Sequence, residues 1–487
     1  MPNFIRKNGS RILTVLYTFA LFFLNFIRIF DNNFWGDEAY TIRLAQMRLP
    51  IMFAETAGDV HPPLYYILVK LTGGILGYRG TVFHFTSLIP YVIVLVLALT
   101  VLWNNFGKTT SLILVTLASL LPTAVQYNVE VRMYSWGALF VLLSYLFLWR
   151  ILQQNSRNAY VGFVIFSLAA AYTHYYCLVS VAFFYVVLFL GSLIQRRDSL
   201  KKTVVCGLVT VAGYLPWFFT LLKTLERTTD DFWMMWIPTL GECIAYFFSG
   251  SSPYILFAIL IVGVIVFFIG LIRSPKNDAV SETSGVLSIQ LKGFTLTSDA
   301  IWIIAGLSSM FGTILTGIMI SRLIRPLFIV RYLYPVSILA WLLLGFCLSK
   351  LKGRIVYTAV VLGLLFLTCI PQYRTVFLND RAENESLQAT LAATVGEIEA
   401  GDVILTDLAQ IDWTVSDYYY PDITHSLFSW DSFPEPENET EYWLILDAVS
   451  AKDNVAKLNI QGYSLEEKVN NGILGTSAVS VYRLYAN

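Results

Sequence analysis

Charge is what this sequence has least of. Only 14% of its 487 residues are Asp, Glu, Lys or Arg, and 33 basic residues offset 33 acidic ones for a net charge of +0. Without a basic field there is nothing to hold a phosphate backbone, which excludes nucleic acid as a partner. Cysteine is scarce too. Cys177, Cys206, Cys243, Cys347 and Cys369 show no C-x-x-C spacing and all lie in or beside apolar stretches. They read as small core hydrophobes and not as metal or redox ligands. Internal repeats are missing, and the apolar runs hold almost no acids. A transporter or lipid flippase tends to duplicate its halves and to place charge in mid-span, so both absences count against that class.

Apolar residues fill the space that charge leaves. They make up 56% of the chain, with a mean hydropathy of +0.63, beyond what a soluble globular protein reaches. Eleven runs have the length of a membrane span: Ile12–Phe30, Val82–Trp103, Thr110–Tyr127, Met133–Ile151, Tyr160–Tyr175, Cys177–Ile194, Thr203–Leu222, Tyr254–Leu271, Ala300–Ile320, Tyr332–Leu348 and Ile355–Ile370. The first follows Arg6, Lys7 and Arg11, as a signal peptide would. It is too long for an h-region and no small-residue cleavage site follows it, so it is expected to remain as a helix. Arg196, Arg197, Lys201 and Lys202 mark an inner loop. The positive-inside rule then places the N-terminus in the cytoplasm and residues 31–81 outside.

Composition divides the chain near residue 372. A polytopic α-helical membrane module, 1–371, is expected to be followed by a small α/β domain, 372–487, outside the membrane. Val403-Ile404-Leu405-Thr406, Tyr442-Trp443-Leu444-Ile445-Leu446 and Val479–Tyr485 have strand character, and Ser386–Ala400 and Val455–Gln461 read as helical. About 115 residues suffice for a core of its own.

The first outer loop concentrates the chemistry. Asp37 and Glu38 open a stretch to Leu49 that reads as an amphipathic helix on the membrane surface, with Ile42, Ala45 and Leu49 on one side. Pro62-Pro63 starts a second helix, Leu64–Leu76, whose N-terminus with His61 forms an anion site. A plainer reading keeps Asp37 as a helix cap and His61 as a loop residue. Arg132 and Arg331 stand at outer ends of spans, where they either meet an anion or, more plainly, pair with Glu130 or snorkel to headgroups.

These residues carry a resemblance. Trp35-Gly36-Asp37-Glu38-Ala39 and His61-Pro62-Pro63-Leu64-Tyr65-Tyr66 resemble the first extracytoplasmic loop of GT-C glycosyltransferases, the group containing protein O-mannosyltransferases and aminoarabinose transferases. Glu130-Val131-Arg132-Met133-Tyr134, Tyr172-Thr173-His174-Tyr175, Tyr214-Leu215-Pro216-Trp217 and Arg331-Tyr332-Leu333-Tyr334-Pro335 are similar to recurring outer turns of its bacterial members. The resemblance spans residues 10–370. It departs at His61, where aminoarabinose transferases tend to carry a basic residue, which argues against a lipid A reaction.

The resemblance implies an enzyme of the bacterial plasma membrane. It implies a sugar donor on polyprenyl phosphate and an inverting transfer to a hydroxyl of a glycan, lipid or protein at the outer face. Asp37, with Glu38, is then the catalytic carboxylate. Arg132 and Arg331, helped by His61 and His174, stabilise the leaving phosphate. Asp59, Glu130, Tyr40 and Tyr332 stand around the acceptor or behind these groups. A divalent cation on Asp37, Glu38 and Asp59 stays open, and a membrane transporter or lipid-linked-sugar flippase is the alternative function. The loop 223–252, with Asp230-Asp231-Phe232-Trp233-Met234-Met235-Trp236, is expected either to cover the cavity or to sit as an interfacial aromatic belt.

Overall fold

The computed structural model describes residues 2–31, 33–195, 197–227, 236–250, 252–273, 289–291, 294–394, 396–431, 433, 440–460 and 463–486. Residues 228–235, which hold most of the aromatic loop, lie outside the described residues, as does most of the polar insert after Arg273.

Nine helices among the described residues are long and apolar enough to cross a membrane: Gly9–Phe30, Gly80–Phe106, Tyr134–Gln154, Tyr175–Ile194, Ser199–Glu226, Pro253–Ile272, Ser298–Leu323, Val330–Lys350 and Arg354–Thr394. The other two expected runs fall on shorter apolar helices, Lys108–Leu120 and Arg157–Ala171. Pro122 explains the first of these: it ends one helix and starts the short Pro122–Tyr127. Leu13, Leu16, Phe19, Leu208 and Val211 leave their side chains exposed on the outer helices, a girdle that only lipid makes economical.

Val330–Lys350 lies at the centre. Its apolar window is 94% buried, whereas that of the outer span Pro253–Ile272 is 22% buried. Close approach depends on Gly345, where a Cβ would come within 3.0 Å of the Thr110 backbone. The helix therefore holds its outer end, Arg331-Tyr332, in a fixed place.

The first outer loop folds as three helices, Gly36–Gln46, Leu49–Gly58 and Leu64–Leu76. The last starts where Pro62-Pro63 predicts. The expected single helix to Leu49 instead breaks at Met47, because Pro50 begins a new one. Nor is its buried face the expected one. Ala39, Thr41, Ile42, Leu44 and Ala45 are fully buried while Leu49 is exposed, since the helix is clamped between the membrane module and the C-terminal residues. Arg43 pairs with buried Asp417 at 2.6 Å, and the Lys70 ammonium caps the helix by donating to the Ala45 and Met47 carbonyls at 3.1 and 2.5 Å.

Arg354–Thr394 runs unbroken through Pro371 and past residue 372. Beyond it, five strands order as Thr424–Leu427, Val403–Thr406, Tyr442–Asp447, Ser477–Ala486, Tyr463–Leu474; the first three are mutually parallel, and the last two join antiparallel. Alternation along each strand covers both faces. Ile404, Trp443, Ile445, Val479 and Val481 pack on Leu387 of the long helix. Leu405, Leu444, Leu446 and Tyr482 pack on Ala451 of Ala448–Ile460. The small α/β unit expected from composition is present.

Candidate active site

Asp37 sits in the first turn of Gly36–Gln46, its carboxylate turned away from the helix toward two guanidiniums. Its Oδ2 is 3.5 Å from Arg132 Nη2 and 3.6 Å from Arg331 Nη2, ion pairs too long for direct hydrogen bonds. Arg132, 4% exposed, also donates through Nη1 to the Asp37 carbonyl at 3.1 Å and to Thr41 Oγ1 at 3.2 Å. The Arg331 guanidinium stands 5.5 Å from the Trp35 ring centroid. Neither arginine snorkels, and Arg132 does not pair with Glu130.

Glu38 points the other way. Its Oε1 accepts the Val131 N–H at 2.7 Å and its Oε2 accepts the Trp35 N–H at 3.3 Å. It therefore ties the start of its own helix to the turn that carries Arg132, and serves as a buried brace where the sequence suggested a catalytic group. Burial, with Glu130 nearby, pushes its carboxyl well above the ordinary range. Glu130 accepts from Gln126 Nε2 at 2.9 Å, and burial raises its carboxyl to about 7. The same turn is held from the other side by Asn128, which donates to Asn25 Oδ1 at 3.0 Å and to the Ala118 carbonyl at 2.9 Å.

The His61 and His174 rings lie tilted to each other with centroids 5.3 Å apart, and His174 lies 4.9 Å from the Tyr332 ring. Burial and the facing arginines push both imidazoles down, His174 to about 3, so both are neutral. They offer nitrogens for hydrogen bonding and no positive charge, which leaves Arg132 and Arg331 as the cations. His174 Nδ1 accepts the Tyr176 N–H at 3.1 Å, while His61 Nδ1 and His174 Nε2 are buried without a partner in the protein.

Asp59 accepts the Tyr66 hydroxyl at 3.2 Å, and burial raises its carboxyl. Tyr40 is half-buried one turn after Asp37, its hydroxyl also raised by burial. Asp37, Glu38 and Asp59 do not converge, and no group of three His, Cys, Asp or Glu among the described residues has metal-binding geometry.

Two cavities lie close by, on the two sides of the Arg331-Tyr332 turn. The first, about 180 Å³, has apolar walls from Leu178, Val179, Leu221 and Ile320 and its polar lining from His61, His174 and Tyr332. The second, about 450 Å³, is polar and lies between the membrane helices and the C-terminal residues Gln410 and Thr476; Arg331 lines it. Sequence reasoning missed Trp35, Thr41 and this second cavity. Trp35 had a local signal, standing two residues before Asp37.

No family model and no curated protein matches this sequence. Solved structures do. ArnT from Cupriavidus metallidurans in the apo state matches 98% of this chain with 98% of its own, at a TM-score of 0.63 and 12% identity. The same protein bound to undecaprenyl phosphate matches with equal coverage at a TM-score of 0.60 and 14% identity. The chain has the fold of ArnT. The likeness covers the whole chain, so the ArnT fold takes in the outer loop helices and the terminal sheet as well as the spans. At this identity it speaks to the fold alone.

Proposed function

We propose that the chain is an inverting GT-C glycosyltransferase that moves a sugar from a polyprenyl-phosphate donor to a hydroxyl acceptor at the outer face of the bacterial plasma membrane. The observation that carries this reading is Asp37 held between Arg132 and Arg331, next to a grease-walled cavity headed by His61, His174 and Tyr332. That the ArnT neighbour was solved with undecaprenyl phosphate supports a lipid-phosphate ligand of the same kind.

In this reading the prenyl chain lies along the apolar walls, and the donor phosphate meets the two guanidiniums. The donor phosphate, a diester with one negative charge and two free oxygens, shares both arginines with Asp37, whose pairs with them are already long, and its hold on them strengthens as it leaves as a monoester. The carboxylate accepts the proton of the acceptor hydroxyl as its oxygen attacks the anomeric carbon from the face opposite the phosphate. The C–O bond to phosphate breaks, and the new phosphate charge develops beside Arg132 and Arg331, where burial strengthens each contact. His61 and His174, being neutral, orient phosphate oxygens by hydrogen bonds. Glu38 and Glu130 fix the Arg132 turn, and Asp59, Tyr40 and Tyr332 shape the surroundings.

Residues 1–371 form the catalytic membrane module in this reading, with the N-terminus cytoplasmic and 372–487 extracytoplasmic. The test is direct: purified protein in lipid nanodiscs is incubated with radiolabelled polyprenyl-phosphate sugars and hydroxyl acceptors. Label moves to acceptor if the proposal holds; a protein that only translocates the donor transfers none.

A further inference from the structure

The polar cavity is the part of the molecule that donor chemistry leaves unused. Asp31, Glu38, Glu130, Asp380 and Glu383 line it, against Arg28 and Arg331. Both arginines are engaged: Arg28 bonds Asp380 Oδ2 through Nε and Nη2, each at 2.8 Å, and Arg331 faces Asp37. The wall therefore carries an excess of carboxyl groups. Asp31 reflects this, raised to about 6 by burial with Asp380 and Glu383 close by.

A second observation is independent of the acids. His84, 4% exposed, also lines the cavity, stacked 4.7 Å from the Phe34 ring. Its Nδ1 bonds the Val129 carbonyl at 2.8 Å, which makes Nδ1 the donor and leaves Nε2 with a lone pair. Nε2 is buried without a protein partner, since the Asp31 carbonyl beside the ring falls short of hydrogen-bond geometry. Asn33 Oδ1 is another buried acceptor without a partner on this wall. Carboxylates, an imidazole lone pair and an amide oxygen all ask for the same thing: hydrogen-bond donors, preferably positively charged.

Resting on the transferase reading above, we infer that this cavity seats the acceptor, and that the acceptor is a hydroxylated molecule bearing an ammonium group, such as an amino sugar. Arg331 lines this cavity, while Tyr332, the next residue, lines the apolar one. The acceptor hydroxyl therefore reaches the arginine pair from the side opposite the lipid. A phosphorylated or carboxylated acceptor meets the carboxyl groups of Asp31 and Glu383, which pair with no arginine among the described residues, and is disfavoured.

The test uses the full chain in nanodiscs without lipid donor, titrated calorimetrically with three sugars of matched shape: methyl glucosaminide, methyl glucoside and methyl glucuronide. The amine is expected to bind about tenfold tighter than the neutral sugar, as charge-assisted bonds require, with the glucuronide weakest. Asp31→Asn with Glu383→Gln reduces that ratio to less than about threefold. Gln410→Lys, at an exposed rim position that no buried contact uses, does the same without disturbing the wall. Equal binding of the three sugars, binding of none, preference for glucuronide, or a ratio unmoved by the rim lysine would overturn the inference. Such a failure leaves the transferase reading standing, because no donor is present. A chain that prefers the amine but moves no sugar from any polyprenyl phosphate loses the transferase reading and keeps the cation-binding cavity.

Discussion

Asp37→Asn separates chemistry from architecture more cleanly than any other change. At 3.5 and 3.6 Å, each pair with an arginine amounts to roughly 4–5 kcal/mol at an effective dielectric of about 20. Asp37 is 34% exposed, and water at that edge reduces the net worth to about 1–2 kcal/mol for the two together. The amide keeps the shape of the side chain, and the bonds that Arg132 donates to the Asp37 carbonyl and the Thr41 hydroxyl do not involve the carboxylate. The variant should therefore fold, with a modest fall in thermal midpoint. Loss of the base costs far more, about 10²–10⁴-fold in turnover. Affinity for undecaprenyl phosphate should stay the same or rise, because the anion that competes for the guanidiniums is gone. Single-turnover transfer in nanodiscs, paired with equilibrium binding of the lipid phosphate, reads both quantities. Wild-type turnover by a folded Asp37→Asn protein would refute the base assignment. Equal losses of binding and turnover would mean that Asp37 only props the arginines.

Arg132→Ala should weaken undecaprenyl phosphate binding at least about tenfold, since a buried guanidinium is lost and water replaces it poorly; unchanged donor binding removes Arg132 from the site. Glu130 is held protonated by burial up to about 7, above its ordinary value of 4.5, so its proton stabilises the fold at low pH and that contribution is lost as pH rises from 4.5 through 7. Glu130→Gln should flatten this decline in the thermal midpoint, and an unaltered slope counts against a buried acid there. Trp443→Ala removes a fully buried indole whose N–H bonds Asp402 Oδ2 at 3.1 Å, and should destabilise the terminal α/β unit by about 3–5 kcal/mol in denaturant titration monitored by limited proteolysis. Arg43→Ala breaks the 2.6 Å pair with Asp417, which is 4% exposed, and should speed proteolysis around residues 409–420 without stopping donor binding.

What could be read from the sequence depended on whether the signal was local. Pro62-Pro63 announced a helix at Leu64 because proline is tolerated only in the first turn, and the same rule at Pro50 was passed over, so one helix was expected where two stand. Val403–Thr406 and Tyr442–Asp447 announced themselves as buried apolar runs. Thr424–Leu427 and Tyr463–Leu474 did not, being the two edges of the sheet: one is exposed throughout and the other carries Glu466, Glu467, Lys468, Asn470 and Asn471. Asp37, Arg132 and Arg331 could be picked out singly because each stands at the outer end of a span. That both arginines face the Asp37 carboxylate is visible only as geometry, because no local pattern joins positions so far apart in the chain. Nothing local marked the polar cavity. Its walls come from residues 28 to 476, and His84 reads in sequence as one more residue of an apolar helix.

The geometry of the turn Val330–Leu333 ties the two halves of the proposed reaction together. In a 3-10 turn neighbouring side chains diverge by about 120°, so consecutive residues naturally face different spaces. Here Arg331 faces the acid-lined cavity and the Asp37 carboxylate, and Tyr332 faces the apolar one with His61 and His174. Because the helix that follows is the most buried span of the bundle, this turn does not drift with the lipid-facing helices around it. On the proposed reading, the gap between a lipid-held donor and a water-borne acceptor would be set by this one backbone segment, beside the Asp37 carboxylate that Arg331 faces. A transporter has no use for such a fixed partition, since it must open one side while closing the other. An enzyme that joins two substrates of opposite solubility needs it, because in-line attack tolerates little error in the distance between hydroxyl and anomeric carbon.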